Sequence, residues 1–160
     1  MLAFAVDEGG RHRDPVDIAL PAQKMGAGYV LNGSKHFVVD GHVADQLVVA
    51  ARTAGNAGEP RGISLFLVDA HQTGVVMERV VMADSRNWAS VYFNDAAVGS
   101  DALIGEVDAA GPVVEQILAV GNAHLAAELL GIAEEVFERT VQYLKERKQF
   151  GVIIGTFQAL

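Results

Sequence analysis

The chain contains no cysteine among its 160 residues. Disulfides, thiolate nucleophiles and cysteine metal sites are therefore excluded. Basic residues are also scarce: 12 lysines and arginines stand against 20 aspartates and glutamates, for a formal net charge of -8. That balance argues against a nucleic-acid binder, because phosphate contact needs a basic face. The opening Met1-Leu-Ala-Phe-Ala-Val6 is too short for a signal peptide, lacks a basic lead and runs directly into charged residues. No apolar run reaches the length of a membrane span. The five histidines include no i,i+4 pair on one helix and have no cysteine beside them, so no metal set is predicted. No internal repeat or low-complexity segment is present. A soluble, cytoplasmic protein is the expectation.

What is there is apolar and divides in two. Hydrophobic residues make up 51% of the chain, enough for one ordinary domain or for a small domain plus part of a second. Residues 2–6 read as a strand and residues 7–15 as a charged, glycine-rich loop. Residues 18–24 read as an edge strand interrupted by Pro21. Gly26-Ala-Gly28 is a turn, and residues 29–31 and 34–39 form a predicted hairpin about Asn32-Gly33, a strong turn signal. Further strands are expected at 46–52, 63–68, 75–81 and 89–93, with a turn at Asn94-Asp95 and a last short segment at 98–104. About seven short strands at this spacing predict an antiparallel β-sandwich or barrel.

After about Asp108 the pattern becomes helical. Val114, Ile117 or Leu118, Gly121, Leu125, Leu129, Ile132, Val136, Thr140 and Leu144 recur at three-and-four spacing, the stripe of one long amphipathic helix. Pro112 suits its first turn, and Gly151 stands where a C-cap glycine belongs. From 112 to 150 such a helix would run roughly 55–60 Å at 1.5 Å per residue. A rod of that length needs further helices or another subunit to cover it. The fold class is thus α+β, with a β-domain over 1–107 and the start of a helical bundle over 108–160. Lys145, Arg147 and Lys148 are placed in the last helical turn, favoured there by the helix dipole. They are either a solvated basic end or an anion clamp, with Arg147 and Gln149 offered to a phosphate.

Two stretches carry a family resemblance. Residues 126–147 and the following Arg147-Lys-Gln-Phe-Gly151, then Phe157-Gln158, resemble the signature of the acyl-CoA dehydrogenase family. Residues 29–52 are similar to that family's middle β-domain, whose usual form is Leu-Asn-Gly-x-Lys, then Trp-Ile-Thr or Trp-Ile-Ser, then Gly and Ala-Asp. The resemblance extends over about residues 2–160. It implies FAD as cofactor, an acyl-CoA thioester as substrate and α,β-dehydrogenation as the reaction. It also implies self-association as a dimer or tetramer, with flavin shared across subunits; it leaves the electron-transfer acceptor unknown.

The resemblance also implies site residues. The aromatic-aliphatic-hydroxyl triplet that packs on the flavin is Phe37-Val38-Val39 here. Phe37 keeps an aromatic plane. Val39 has no hydroxyl to donate, though its backbone N–H remains. The segment from Phe4 to Asp14 falls where the family has Thr-Glu-Pro-Gly-x-Gly-Ser-Asp. Phe4, Val6 and Asp7 are thereby assigned to the cofactor, and Arg13, in place of the serine, to substrate. Glu8 and Asp14 match the motif, and Arg11 or Arg13 is available to a phosphate. Arg147, Gln149, Phe150, Phe157 and Gln158 are assigned to the flavin of a neighbouring subunit.

No catalytic base is assigned. Some family members carry a glutamate early in the long helix, at the position of Gly121, and many have an arginine where Asn122 stands. Most carry the base later in the C-terminal domain. Glu128, Glu134 and Glu135 read as helix-surface residues, His124 as structural and Trp88 as a half-exposed strand residue. Residues 2–6 and 156–160 read as cut ends, so the expectation is a fragment that is inactive alone. Two alternatives remain: a non-catalytic binding or assembly module on the same scaffold, and a related flavin oxidase or monooxygenase, since fold does not fix function.

Overall fold

The structure is a computed structural model and describes residues 1–9 and 17–157. Eight strands come first: β1 (Leu2–Ala5), β2 (Ala22–Met25), β3 (Gly28–Val38), β4 (Gln46–Arg52), β5 (Ile63–Asp69), β6 (Val75–Val80), β7 (Trp88–Val98) and β8 (Leu103–Ile104). They form two four-stranded sheets, ordered β1-β4-β5-β8 and β2-β3-β7-β6. The two sheets make a sandwich and do not close into a barrel, which decides between the two predicted architectures. Leu31, Val38, Val91 and Phe93 from one sheet and Leu47, Val49, Phe66 and Val68 from the other belong to one buried cluster. Val91 and Phe93, Leu47 and Val49, and Phe66 and Val68 alternate along their strands, as a half-buried pleat requires, whereas Leu31 and Val38 stand out of phase across an irregularity in β3. Ile63 and Leu65 are buried as well, but outside that cluster, as are Ile18, Ala50, Ala110 and Val114.

Several local expectations are corrected. Strand β1 pairs with β4 in parallel, so the sandwich is not wholly antiparallel. Residues 18–24 yield strand only from Ala22, immediately after Pro21, and β2 is an edge of its sheet. Asn32-Gly33 does not turn the chain, because β3 runs unbroken through it. Opposite it, β7 runs unbroken through Asn94-Asp95, the second predicted turn. Leu31 pairs with Ala96 and Gly33 with Phe93, so Asn94 and Asp95 face Asn32 alone. This is a bulge on β7, with Asp95 left-handed at φ 50. Further along, Lys35 pairs with Val91 and Val38 with Ala89, so His36 and Phe37 face Ser90 alone. The second bulge is therefore on β3, and Phe37 is left-handed at φ 51.

Helix α1 (Gly111–Glu146) has 36 residues, with Pro112 in its first turn as expected. Its entry is pinned from the β-strands. The Ala110 N–H donates to the Ile63 carbonyl at 2.8 Å, and the Thr53 hydroxyl donates to the Asp108 carboxylate at 2.5 Å. A Cβ on Gly111 would lie 2.7 Å from the Pro60 carbonyl oxygen, so only glycine fits there. The chain divides into two compact units, Met1–Gln116 and Ile117–Leu160.

The predicted stripe is present: Ile117, Leu125, Leu129, Ile132 and Val136 are all exposed. Val113, Val120, Leu130 and Phe137 are exposed too, so the apolar surface is wider than one stripe. By length and composition alone this helix is apolar enough to cross a membrane. That corrects the expectation that no apolar run is long enough, because polar residues such as Asn122, His124 and Glu128 interrupt the helix without making its average polar. Helix α1 also stops earlier than predicted. A two-stranded ribbon follows, β9 (Lys148–Gln149) with β10 (Val152–Ile153). Phe150 and Gly151 form its two-residue turn at φ 52 and 83, so Gly151 is a hairpin residue and not a helix C-cap.

Candidate functional site

The segment after β1 meets the β3 bulge through a set of main-chain and side-chain hydrogen bonds. The chain leaves β1 through Val6, Asp7 and Glu8 and crosses β3 at Lys35 and His36. The His36 N–H donates to the Asp7 carbonyl at 2.7 Å. The Lys35 ammonium donates to the Val6 carbonyl at 3.1 Å and to the Glu8 carboxylate at 2.5 Å. Glu8 also accepts from the main-chain N–H groups of Ala19 (2.9 Å) and Leu20 (3.0 Å). Gly9 is left-handed at φ 77, and a Cβ there would lie 3.3 Å from the His36 ring.

The Lys35 side chain is fully buried. Loss of hydration pushes its ammonium down to about 8, opposed by the charge and hydrogen bond of Glu8 and by the charge of Asp7. On the other face of β3, the His36 imidazole lies between two hydroxyls. Its Nε2 is 3.0 Å from Ser34 Oγ and its Nδ1 is 3.0 Å from Ser90 Oγ. The ring meets Tyr92 edge-on, with centroids 6.1 Å apart. Serine hydroxyls both donate and accept, so this arrangement satisfies either imidazole tautomer.

The predicted residues divide into three groups. Phe37 is 41% exposed at the crest of the bulge. Asp7 lies beside it in the chain crossing, buried, while Phe4 and Val6 are half-buried. Val38 is 1% exposed and its side chain belongs to the sandwich core, which leaves only its main chain to offer a ligand. Val39 is half-buried just beyond the strand. These residues cluster in the first unit. In the second unit the helix end and ribbon bring together Arg147, Gln149 and Phe150, all exposed. The Arg147 N–H donates to the Tyr143 carbonyl at 2.9 Å, and its own carbonyl accepts from Ile154 at 2.9 Å. Arg147 thus ends the helix and begins the ribbon. Lys148 lies in β9 and not in the last helical turn. Phe157 is 41% exposed. Arg13, Arg11, Asp14 and Gln158 lie outside the described residues.

The surface readings of the acidic helix residues agree with the structure. Glu128, Glu134 and Glu135 are exposed, and Glu135 pairs with Arg139 one turn on. His124 bonds the Val120 carbonyl at 2.8 Å, and Trp88 donates to Asp84 at 2.8 Å. Sequence reasoning missed Lys35, Ser34 and Ser90. Lys35 had one visible signal, a lysine at an inward-pointing strand position inside the quoted Leu-Asn-Gly-x-Lys motif.

A β-sandwich that carries a bulged aromatic residue is followed by one long helix. Residues 3–96 match the family model for the acyl-CoA dehydrogenase middle domain, and residues 111–160 match the model for the C-terminal domain. The chain belongs to the acyl-CoA dehydrogenase family. It is 34% identical to caffeyl-CoA reductase-Etf complex subunit CarC of Acetobacterium woodii, over 99% of this chain and 42% of that protein. A crystal structure of acyl-CoA dehydrogenase from Geobacillus kaustophilus superposes with a TM-score of 0.88 at 32% identity, over 99% of this chain and 43% of that one. The FAD complex of PigA superposes with a TM-score of 0.89 at 28% identity, over 99% and 42%. The chain therefore spans less than half the length of these relatives.

Proposed function

We propose that the chain is part of an FAD-dependent oxidoreductase acting on the Cα–Cβ bond of an acyl-CoA thioester. One observation carries this reading: the β3 bulge holds Phe37 left-handed and 41% exposed. A bulky residue in that conformation is disfavoured by about 1–3 kcal/mol, and such outliers gather at ligand clamps. The chain's membership of the family and its likeness to a solved FAD complex support the identity of the ligand.

The residues present fit a flavin. Phe37 offers a ring face for stacking, and Val39 offers a main-chain N–H beside it. The missing hydroxyl at Val39 removes one contact that would tune the flavin. The Asp7 carbonyl is already engaged by His36, so Asp7 sets the path of the backbone. Arg147 and Gln149 stand at an exposed ribbon and are assigned to a phosphate or flavin edge in a neighbouring subunit. Arg13 is assigned to the substrate. Bound FAD would supply hydride transfer. No residue among these 160 is assigned as the base. Within an assembly, the exposed face of α1 is covered by other helices, and the protein is soluble and cytoplasmic.

Purified chain incubated with FAD and freed of excess cofactor should retain the flavin absorbance bands. A colourless protein would favour the second reading, a binding or assembly module, which the missing Val39 hydroxyl supports. Alone, the chain is expected not to oxidise acyl-CoA with an artificial acceptor.

A further inference from the structure

We propose that Glu8 and Lys35 form a positioning clamp that fixes the Val6–Gly9 backbone against the Phe37 bulge and so pre-forms the cofactor-facing surface. Only the last step rests on the flavin reading.

Fully buried lysines are rare, because the ammonium loses its hydration. Lys35 is buried in this way and spends its donors on the segment after β1: the Val6 carbonyl at 3.1 Å and Glu8 at 2.5 Å. Glu8 is only partly buried, yet its carboxylate takes three hydrogen bonds. Oε1 accepts from Lys35 and Leu20, and Oε2 accepts from Ala19. One carboxylate thus ties the chain before residues 10–16 to the chain after them and to the interior of β3.

The neighbouring contacts act in the same place. Asp7 is fastened to the His36 N–H at 2.7 Å, and a Cβ on Gly9 would lie 3.3 Å from the His36 ring. Lys35 and His36 immediately precede Phe37, so both anchor points adjoin the bulge. Stability alone does not require this design, because an apolar pair of similar volume would serve a core as well or better. What an apolar pair would not do is hold two main-chain N–H groups and a carbonyl in register.

The test compares Lys35→Met and Glu8→Gln in the full 160-residue chain by amide hydrogen exchange and by FAD titration. Protection at Ala19 and Leu20 should fall about tenfold or more in both variants, in line with a lost charge-assisted hydrogen bond. Protection at Val49 and Val91 should be retained, which reports an intact sandwich. FAD should bind the variants about tenfold or more weakly than the parent. If Lys35→Met does not fold, Glu8→Gln carries the test, because Glu8 lies nearer the surface. Unchanged protection at Ala19 and Leu20 overturns the clamp. Lost protection with parental FAD affinity also overturns it, leaving a merely structural pair. If the parent binds no FAD, the cofactor reading fails, and the exchange result alone decides whether the clamp holds the backbone.

Discussion

Asn32 and Asp95 exchange two hydrogen bonds across the β3–β7 pair. The Asn32 side-chain amide donates to the Asp95 carboxylate at 2.9 Å, and the Asp95 main-chain N–H donates to the Asn32 side-chain oxygen at 2.8 Å. The side chain of Asn32 thus replaces the ladder partner that the β7 bulge removes. Asn32→Ala should leave that N–H to solvent and cost about 1 kcal/mol for a net hydrogen bond at an exposed site. Urea denaturation should show a lower midpoint at unchanged m. Asp95→Asn keeps an acceptor oxygen and tolerates φ 50, so its midpoint should stay close to the parent's.

The same pair shows where sequence reading reaches its limit. Asn-Gly and Asn-Asp carry the same local signal in a turn and beside a bulge, because both settings ask for left-handed backbone or a side chain that bonds main chain. Which one forms depends on the partner strand, and that strand lies more than 60 residues away. Period-2 alternation did mark the core, since Val91 and Phe93 point inward as it requires. Three-and-four spacing marked α1 over nearly its whole length. It missed the helix end because Lys148 and Gln149 leave the helix to pair with Val152 and Ile153, and no periodicity records that. The Glu8–Lys35 contact spans 27 residues and was legible only as two separate matches to family motifs.

Phe37 offers a test that separates stability from binding. Its φ of 51 suits glycine, but the residue is only 41% exposed, so truncation also removes buried contact. Phe37→Gly should change the melting temperature little, because the strain relieved, about 1–3 kcal/mol, is offset by a burial loss of similar size. FAD affinity should fall by about tenfold through loss of the stacking face. A variant that melts lower and binds FAD normally would show that the bulge serves the fold.

Lys35 makes stability depend on alkaline pH in a defined direction. Its ammonium is pushed down to about 8, below its ordinary value of 10.5. Between those values the unfolded chain holds a proton that the folded chain releases, so this group's contribution to stability rises with pH. Below about 8 its unfavourable contribution is fully present and nearly constant. The stability of the parent relative to Lys35→Met should therefore improve between pH 8 and 10, read as urea midpoints at each pH. A flat difference would mean that Lys35 titrates normally.

Helix α1 supplies the last prediction. Leu125 is 46% exposed, Leu129 56%, Ile132 53% and Val136 59%, along one face of the second compact unit. A continuous apolar face of this kind drives association in water. The isolated chain should sediment as a dimer or larger species in which helices cover one another. Charge placed in the middle of the face should oppose this, because association would then bury an unpaired carboxylate. Leu129→Glu together with Ile132→Glu should shift the population toward monomer at equal concentration, with the β-sheet signal in circular dichroism retained. Helix content should also fall with dilution, because an unsupported helix in water is marginal and this one draws its stability from packing. A parent chain that sediments as a monomer with full helix content would refute the prediction.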